Sequence, residues 1–342
     1  MRCSPRTPRA RWSTGALVAL AVACGSLVVG CSSGDSKVAT ATVPTTIDIA
    51  DNPQGGTFRL LTYNVAGLPV EISKGRPDVD LPQIGPLLND YDVVLTQEDY
   101  DWWKPGGLAS TVDFVNYHGR LRAAATHDYQ SPQHPGPDAV HANRPDLELG
   151  DGLGTLSNLP ASDDQRVPWT GCFGGFDQND GGKADCLAMK GFQITTVTLP
   201  NGEDVLVYNL NAEAGTNPRD QQLQAADFEQ LAAHIAEHAR GRPVIVAGRT
   251  NLYLDASEPA SNGGQDGRIW AKFLKAAGLT DACTTPACAK ESPIDRVAFR
   301  SGDGAALEAT ALTVRADRFV DHDGRPLSDG PPVEVVFGWK PA

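Results

Sequence analysis

From Thr57 onward the apolar residues fall into short runs whose spacing alternates between that of a strand and that of a helix. Phe58-Arg59-Leu60-Leu61-Thr62-Tyr63 reads as a strand. Tyr91-Asp92-Val93-Val94-Leu95-Thr96 reads as another, nearly continuous and therefore expected to be buried on both faces. Phe192 to Leu199 and Asp204 to Leu210 flank Pro200-Asn201-Gly202, a strong turn signal, and together predict a hairpin. The clearest helix runs from Pro218 to Arg240. Asn217 can cap it, Pro218 suits its first turn, and Leu223, Ala226, Leu231 and Ile235 share one face before Gly241 stops it. Pro243 to Ala247 predicts a core strand, and Pro332 to Phe337 predicts the last one. Asp99 to Pro160 is rich in Gly, Pro and His and weakly periodic, the character of a functional loop region with short elements inside it. The pattern predicts one α/β domain over residues 57–342, with sheets inside and helices outside.

The first thirty residues follow another pattern. Arg2, Arg6, Arg9 and Arg11 precede Gly15 to Gly30, a short apolar stretch of small residues with the flanks of a signal peptide. It ends Leu27-Val28-Val29-Gly30-Cys31 and then Ser32-Ser33-Gly34-Asp35, which resembles a bacterial lipobox. That resemblance implies cleavage before Cys31 and a lipid on its thiol. Residues 31–56, rich in Ser, Thr, Ala, Pro and Gly, would then tether the domain to the outer face of a bacterial membrane.

Charge narrows the partners. The chain carries 29 basic and 42 acidic residues, and loss of the four leader arginines leaves a net charge of −17. With no dense Lys/Arg cluster, such a field argues against a nucleic-acid partner. Of seven cysteines, Cys3 and Cys24 leave with the leader and Cys31 takes the lipid. Cys172, Cys186, Cys283 and Cys288 remain, an even number that favours two disulfides in an exported chain. Three connectivities are open to them. Pairing nearest neighbours closes the shortest loops and is the one expected, and neither CxxC pairs nor nearby His suggest zinc.

Several strand ends carry candidate chemistry. In chain order they are Leu61-Thr62-Tyr63-Asn64-Val65, Val94-Leu95-Thr96-Gln97-Glu98, Tyr208-Asn209-Leu210-Asn211-Ala212-Glu213, Val246-Ala247-Gly248-Arg249-Thr250-Asn251, Ile294-Asp295-Arg296-Val297 and Leu327-Ser328-Asp329-Gly330. In this order and spacing they resemble the motifs of the endonuclease/exonuclease/phosphatase (DNase-I-like) superfamily. Asp151-Gly152-Leu153-Gly154 and Lys190-Gly191-Phe192 are most similar to its secreted bacterial sphingomyelinase-type members. The resemblance implies a four-layer sandwich, two central β-sheets flanked by helices, with the site at the strand ends.

It also implies roles. In the family a divalent metal, usually Mg²⁺, polarises the scissile phosphate, held by a Glu at the position of Glu98 with help from an Asn at Asn64. An Asp in Gly-Asp-x-Asn orients the attacking water, and two histidines, one steadied by a carboxylate like Asp295, complete the acid–base set. This chain keeps Asn64, Glu98, Asn251, Asp295 and Asp329 but has Asn211 for His, Arg249 for Asp and Gly330 for His. Asn211 is the mildest change. Arg249 is the severest, because at about 4 Å and an effective dielectric near 20 a fixed cation costs a dication on the order of 8 kcal/mol. The expected partners of Arg249 are Glu98 or Asp295, and Gly330 has no evident replacement. His322 lies in the loop before the last strand and is not expected to reach the site. His118, His127, His134 and His141 are expected as solvated loop histidines that at most line the cleft.

The expectation is therefore a surface lipoprotein with the family fold, no intact catalytic residue, a vestigial metal ligand in Glu98 and no resident cofactor. An anionic headgroup or phosphate is its expected ligand class. Two alternatives stay open: a weakly active Mg²⁺-dependent phosphodiesterase, and a purely adhesive or structural lipoprotein.

Overall fold

Hydrophobic side chains alternate along the central strands, so each sheet has an inner face turned to its twin and an outer face covered by helices. A computed structural model describes residues 53–70, 73–107, 115–142, 144–177, 181–288 and 292–342; the leader, Cys31 and most of the tether lie outside the described residues.

The first sheet is built from β1 (Gly56–Asn64), β2 (Val93–Gln97), β3 (Tyr129–Gln130), β4 (Gly154–Ser157), β11 (Ala305–Val314) and β12 (Val333–Pro341) in the order β11-β12-β1-β2-β4-β3. The second holds β5 (Ala161–Pro168), β6 (Gly191–Thr198), β7 (Asp204–Asn211), β8 (Val244–Arg249), β9 (Thr280–Asp281) and β10 (Asp295–Arg300) in the order β5-β6-β7-β8-β10-β9. β1 runs parallel to β2 and β7 parallel to β8, while the other pairs are antiparallel. The helices are α1 (Pro77–Leu88), α2 (Val115–Ala124), α3 (Pro137–Val140), α4 (Pro218–His238) and α5 (Gln265–Ala277).

Between the sheets Phe58, Leu60, Val93, Leu95, Val207, Ile245, Val297, Val335 and Phe337 form one buried core. Their neighbours in sequence point outward. Leu61, Tyr63 and Val94 pack with Leu81, Ile84 and Leu121 of α1 and α2. Tyr208, Leu210 and Val246 pack with Phe228, Leu231, Ile235, Trp270 and Phe273 of α4 and α5. The result is the expected four layers.

The period-2 and period-3.6 signals translate directly into elements. α4 begins with a capping box, Asn217 accepting from the Arg219 and Asp220 backbone N–H groups while Asp220 accepts from the Asn217 N–H. It ends at His238, two residues before the sequence pattern suggests, because Ala239 leaves the helical region and Gly241 takes φ 69°. β8 continues past Ala247 through Gly248 and Arg249, and β12 past Phe337 to Pro341. The cysteines pair as nearest neighbours, Cys172 with Cys186 and Cys283 with Cys288. Among the described residues no helix is long and apolar enough to cross a membrane.

Candidate active site

Parallel strands bring like ends together, and in both sheets the ends collected at one rim carry polar residues. β1 and β2 stop together at Asn64 and Gln97, and β7 and β8 at Asn211 and Arg249. Antiparallel β10 opens at the same level, Asp295 pairing with Arg249. Below this rim the two sheets are tied by amides rather than hydrocarbon. Gln97 donates to Asn209 Oδ1 at 2.7 Å and to Thr62 Oγ1 at 3.0 Å, and Asn209 donates to the Thr96 and Gly154 carbonyls. Both amides are fully buried, so this network fixes the spacing of the two strand-end sets.

Three of these strand ends leave through a left-handed residue. Ala66, Glu98 and Asn251 have φ of 52°, 56° and 54°, a conformation that non-glycine residues adopt at a cost. The turn at Glu98 aims its side chain at Asn64, whose amide donates to Glu98 Oε1 at 2.8 Å while Asn64 Oδ1 accepts the Ala66 N–H. Gly152, at φ 67°, passes so close to Glu98 and Tyr100 that an added Cβ would lie 3.0 Å from Glu98 Cα. That contact accounts for the first glycine of the Asp151-Gly152-Leu153-Gly154 run.

Arg249 fills the other half of the rim. Its Nη2 donates to Asp329 Oδ1 at 2.8 Å and its Nε lies 3.5 Å from Asp295 Oδ1. Burial works to lower its pKa, but Asp295, Asp329 and Glu98 outweigh it and raise the value, so the guanidinium stays charged. Burial pushes the Asp295 carboxyl up, with Arg249 and a hydrogen bond from Ser292 holding it back. Of the two partners expected for Arg249, Asp295 is taken; Asp329 takes the place of Glu98, which bonds the Asn64 amide instead. The reason is geometric: Ser328 Oγ donates to the Asn64 carbonyl at 2.6 Å and draws the loop before β12 over the end of β8. At Gly330 a Cβ would meet the Arg249 Nη1 and Nη2 at 3.9 and 4.0 Å, so the guanidinium faces the space a larger side chain would occupy.

Asn211 is fully buried beside Arg249, and neither its amide nitrogen nor its oxygen has a hydrogen-bond partner. Asn251 donates to the Ala212 carbonyl at 2.8 Å. The eight residues singled out from sequence, Asn64, Glu98, Asn211, Arg249, Asn251, Asp295, Asp329 and Gly330, thus gather at one rim.

Lys190 and Glu213 stand in the motifs read from sequence, but sequence reasoning gave them no role and missed their partners Asp185 and Asp227. Lys190 pairs with Asp185 and donates to the Ala212 carbonyl at 3.2 Å. Glu213 accepts from the Phe173 N–H, and its own N–H donates to Asp227. Burial, then Asp185 and Asp227 against the pull of Lys190, pushes Glu213 up to about 9. The signal for this cluster was the place of Lys190 and Glu213 within two of the motifs; nothing in the sequence pointed to Asp185 or Asp227.

The histidines also differ from expectation. His118 sits in α2, buried, with Nδ1 2.8 Å from Asp99 Oδ1 and Nε2 2.9 Å from the Gly67 carbonyl. It fastens the loop after β1 to the segment after β2. Burial raises the Asp99 pKa, but Arg122 and His118 outweigh it and hold the carboxyl at about 2. His127 is buried with Nε2 2.9 Å from the Tyr91 carbonyl, and His134 is buried 3.8 Å from Asp151. These three are structural residues, placed inside because α2 and β3 fold the loop region onto the first sheet. His141 and His322 are exposed, the latter beside Asp323 and away from the rim.

Comparison with known proteins agrees with this architecture. Residues 61–330 match the Endonuclease/Exonuclease/phosphatase family. The chain is 30% identical over 327 residues to sphingomyelinases of Mycobacterium bovis and Mycobacterium tuberculosis, covering 89% of this chain and 57% of each relative, so it spans little more than half their length. Sphingomyelinase C from Streptomyces griseocarneus superposes with a TM-score of 0.58 at 18% identity, over 82% of this chain and 99% of that one. A beta toxin variant from Staphylococcus aureus with bound magnesium ions superposes with a TM-score of 0.54 at 13% identity, over 81% and 98%. Six strand-end motifs in order, two helix-flanked sheets and a match over most of the chain lead to one conclusion: this protein belongs to the endonuclease/exonuclease/phosphatase family, with sphingomyelinase-type members among its relatives.

Proposed function

We propose that this chain is a non-catalytic member of the family, a surface lipoprotein that keeps the phosphodiesterase fold and has lost its chemistry. The observation that carries this reading is the Arg249 guanidinium between Asp295 and Asp329, on the strand end where the family pattern has an Asp. An always-protonated side chain cannot take a proton from water. Asn211 and Gly330 offer no titrating group in place of the two histidines. Each missing acid–base group typically costs about 10²–10⁴ in rate.

Magnesium, bound in the beta toxin structure, does not fit the residues of this rim. Glu98 supplies one half-buried carboxylate already bonded to Asn64, and Arg249 raises the local positive potential against a dication. Mg²⁺ sites normally bring one or two carboxylates with no fixed cation among them.

Residues 1–30 act in this reading as a lipoprotein leader and Cys31 as the anchor to the outer face of a bacterial membrane. The two disulfides support an oxidising compartment. The ligand class we attach to the cleft is a phosphate-bearing headgroup, for which the charged Arg249 guanidinium at the rim is the attracting group. The carboxylates of Glu98, Asp295 and Asp329 keep such binding weak, and the net charge of −17 after leader removal opposes nucleic acid.

The test is turnover with Mg²⁺ on sphingomyelin vesicles and on a simple phosphodiester, comparing this chain with the triple change Asn211→His, Arg249→Asp, Gly330→His. Silence from the chain and hydrolysis by the triple variant support the proposal. The retained Asn64–Glu98 pair favours a second reading, a weakly active phosphodiesterase. Metal-dependent turnover by the chain itself, abolished by Glu98→Ala, would establish that reading and overturn ours.

A further inference from the structure

A second cluster of chemically competent side chains lies outside the strand-end rim, at the C-terminal end of α4. The sequence His234-Ile235-Ala236-Glu237-His238 places two histidines four apart, which stacks them on one helix face. Their ring centroids are 4.2 Å apart. Both line a groove on the outer side of the second sheet, together with Asp163, Asp164 and Tyr208.

The inner ring is held as a metal-binding imidazole is held. His234 packs against Phe192 and Tyr208, with centroids at 5.1 and 5.8 Å. Its Nδ1 lies 3.3 Å from the Tyr208 hydroxyl, while its Nε2 is buried with no hydrogen-bond partner. With the proton on Nδ1, donated to the Tyr208 oxygen, the lone pair on Nε2 is left open; anchoring one ring nitrogen so that the other can ligate is the usual arrangement around bound metals. The outer ring, His238, is half-exposed with its Nε2 3.8 Å from the Glu237 carboxylate, and it already lies against the His234 ring on the open side of the groove.

The surroundings favour a cation. His238 is the last residue of α4, where the unpaired carbonyls carry roughly half a negative charge. Asp163, turned out of β5 by a left-handed backbone at φ 61°, adds a carboxylate to the groove. Arg242 also lines the groove and opposes this field, but it is drawn to Asp204, 3.5 Å away.

We propose that His234 and His238 form a chelating pair for a borderline divalent cation of the zinc class, with Tyr208 as the positioning residue behind His234 and groove oxygens completing the shell. Imidazole pairs select Zn²⁺, Ni²⁺ or Cu²⁺ over Mg²⁺, which prefers oxygen ligands. The site shares no residue with the strand-end rim and is independent of the function proposed for it.

The experiment is isothermal titration of the full chain with ZnCl₂, followed by the same titration of His238→Ala, Tyr208→Phe and His322→Ala. One equivalent is expected to bind, and His238→Ala, a half-exposed position that leaves the core intact, is expected to abolish it. Tyr208→Phe should weaken binding by about tenfold, the size of effect that removing a ligand's orienting partner has elsewhere. His322→Ala, in the exposed Asp321-His322-Asp323 loop, should change nothing. Absence of binding at millimolar zinc would overturn the proposal, as would undiminished binding in His238→Ala or its loss in His322→Ala.

Discussion

Arg249 donates from Nη2 to Asp329 Oδ1 at 2.8 Å, and this one bond joins the middle of the second sheet to the loop that leads into β12. On its other side Arg249 faces Asp295, which is buried, whereas the Asp329 side chain is 62% exposed. The two ion pairs should therefore differ in weight. Asp295→Ala leaves a buried guanidinium with its inner partner gone and should cost about 3–5 kcal/mol. Asp329→Ala should cost less than about 1 kcal/mol, because water screens and replaces that carboxylate. Urea denaturation of the two variants checks the ordering, and equal losses would contradict it.

The same arginine sets the response to metal. Addition of Mg²⁺ should leave the thermal midpoint of this chain unchanged, since a ligand stabilises only the state that binds it. Arg249→Asp removes the fixed cation and adds a carboxylate beside Glu98, so its midpoint should rise with Mg²⁺ concentration. A Mg²⁺-dependent rise in the unaltered chain would mean that the guanidinium does not govern the rim.

Glu213 predicts a pH dependence. Its folded value of about 9 stands above the ordinary 4.5, so between these limits the folded chain holds a proton that the unfolded chain has released. Stability from that proton is complete below about 4.5 and is lost as pH rises toward 9, with a slope of at most about 1.4 kcal/mol per pH unit. Glu213→Gln keeps the neutral form and should flatten the stability profile across that window. Parallel profiles for the two proteins would show that Glu213 titrates normally.

Asn209 bridges the sheets with three hydrogen bonds to buried partners. Asn209→Ala leaves Gln97 Nε2 with Thr62 as an acceptor but takes a donor from the buried Thr96 and Gly154 carbonyls, at about 1–3 kcal/mol for each group that stays unpaired. Asn209→Asp keeps the acceptor for Gln97 but loses the donors, so it should be no better tolerated. Equilibrium denaturation of both variants measures the cost, and a loss of only a few tenths of a kcal/mol would show that solvent reaches the gap.

The Cys172–Cys186 bridge closes a span of 14 residues next to Asp185, Lys190 and the Phe173–Glu213 hydrogen bond. Loop-closure entropy gives it about 3 kcal/mol. Replacing both cysteines by Ser should lower stability by that order and loosen the Asp185–Lys190 pair, seen as faster amide exchange at Ala212 and Ala214.

Most of this architecture was legible because strand and helix periodicity survive in single segments. The Pro218 helix and the Pro200-Asn201-Gly202 hairpin needed no tertiary information: their capping, turn and spacing signals are all local. Asn64, Glu98, Arg249 and Asp295 were legible for another reason, since each ends or opens a strand in a recognisable order. What escaped was tertiary. Nothing near His118 in sequence announces that Asp99 and Gly67 will close around it, and the alliance of Lys190 with Asp185 depends on a turn fixed by a disulfide. The partner of Arg249 was half right for the same reason, because the Ser328–Asn64 bond that delivers Asp329 spans 264 residues.

The left-handed turns at Ala66, Glu98 and Asn251 have a meaning for protein engineering. The awkward part of building a reactive pocket is persuading loops to hold strained geometry, and here the sandwich already does so at three strand ends. A designer would inherit a preformed frame, in which side chains can be exchanged without first solving the backbone that carries them.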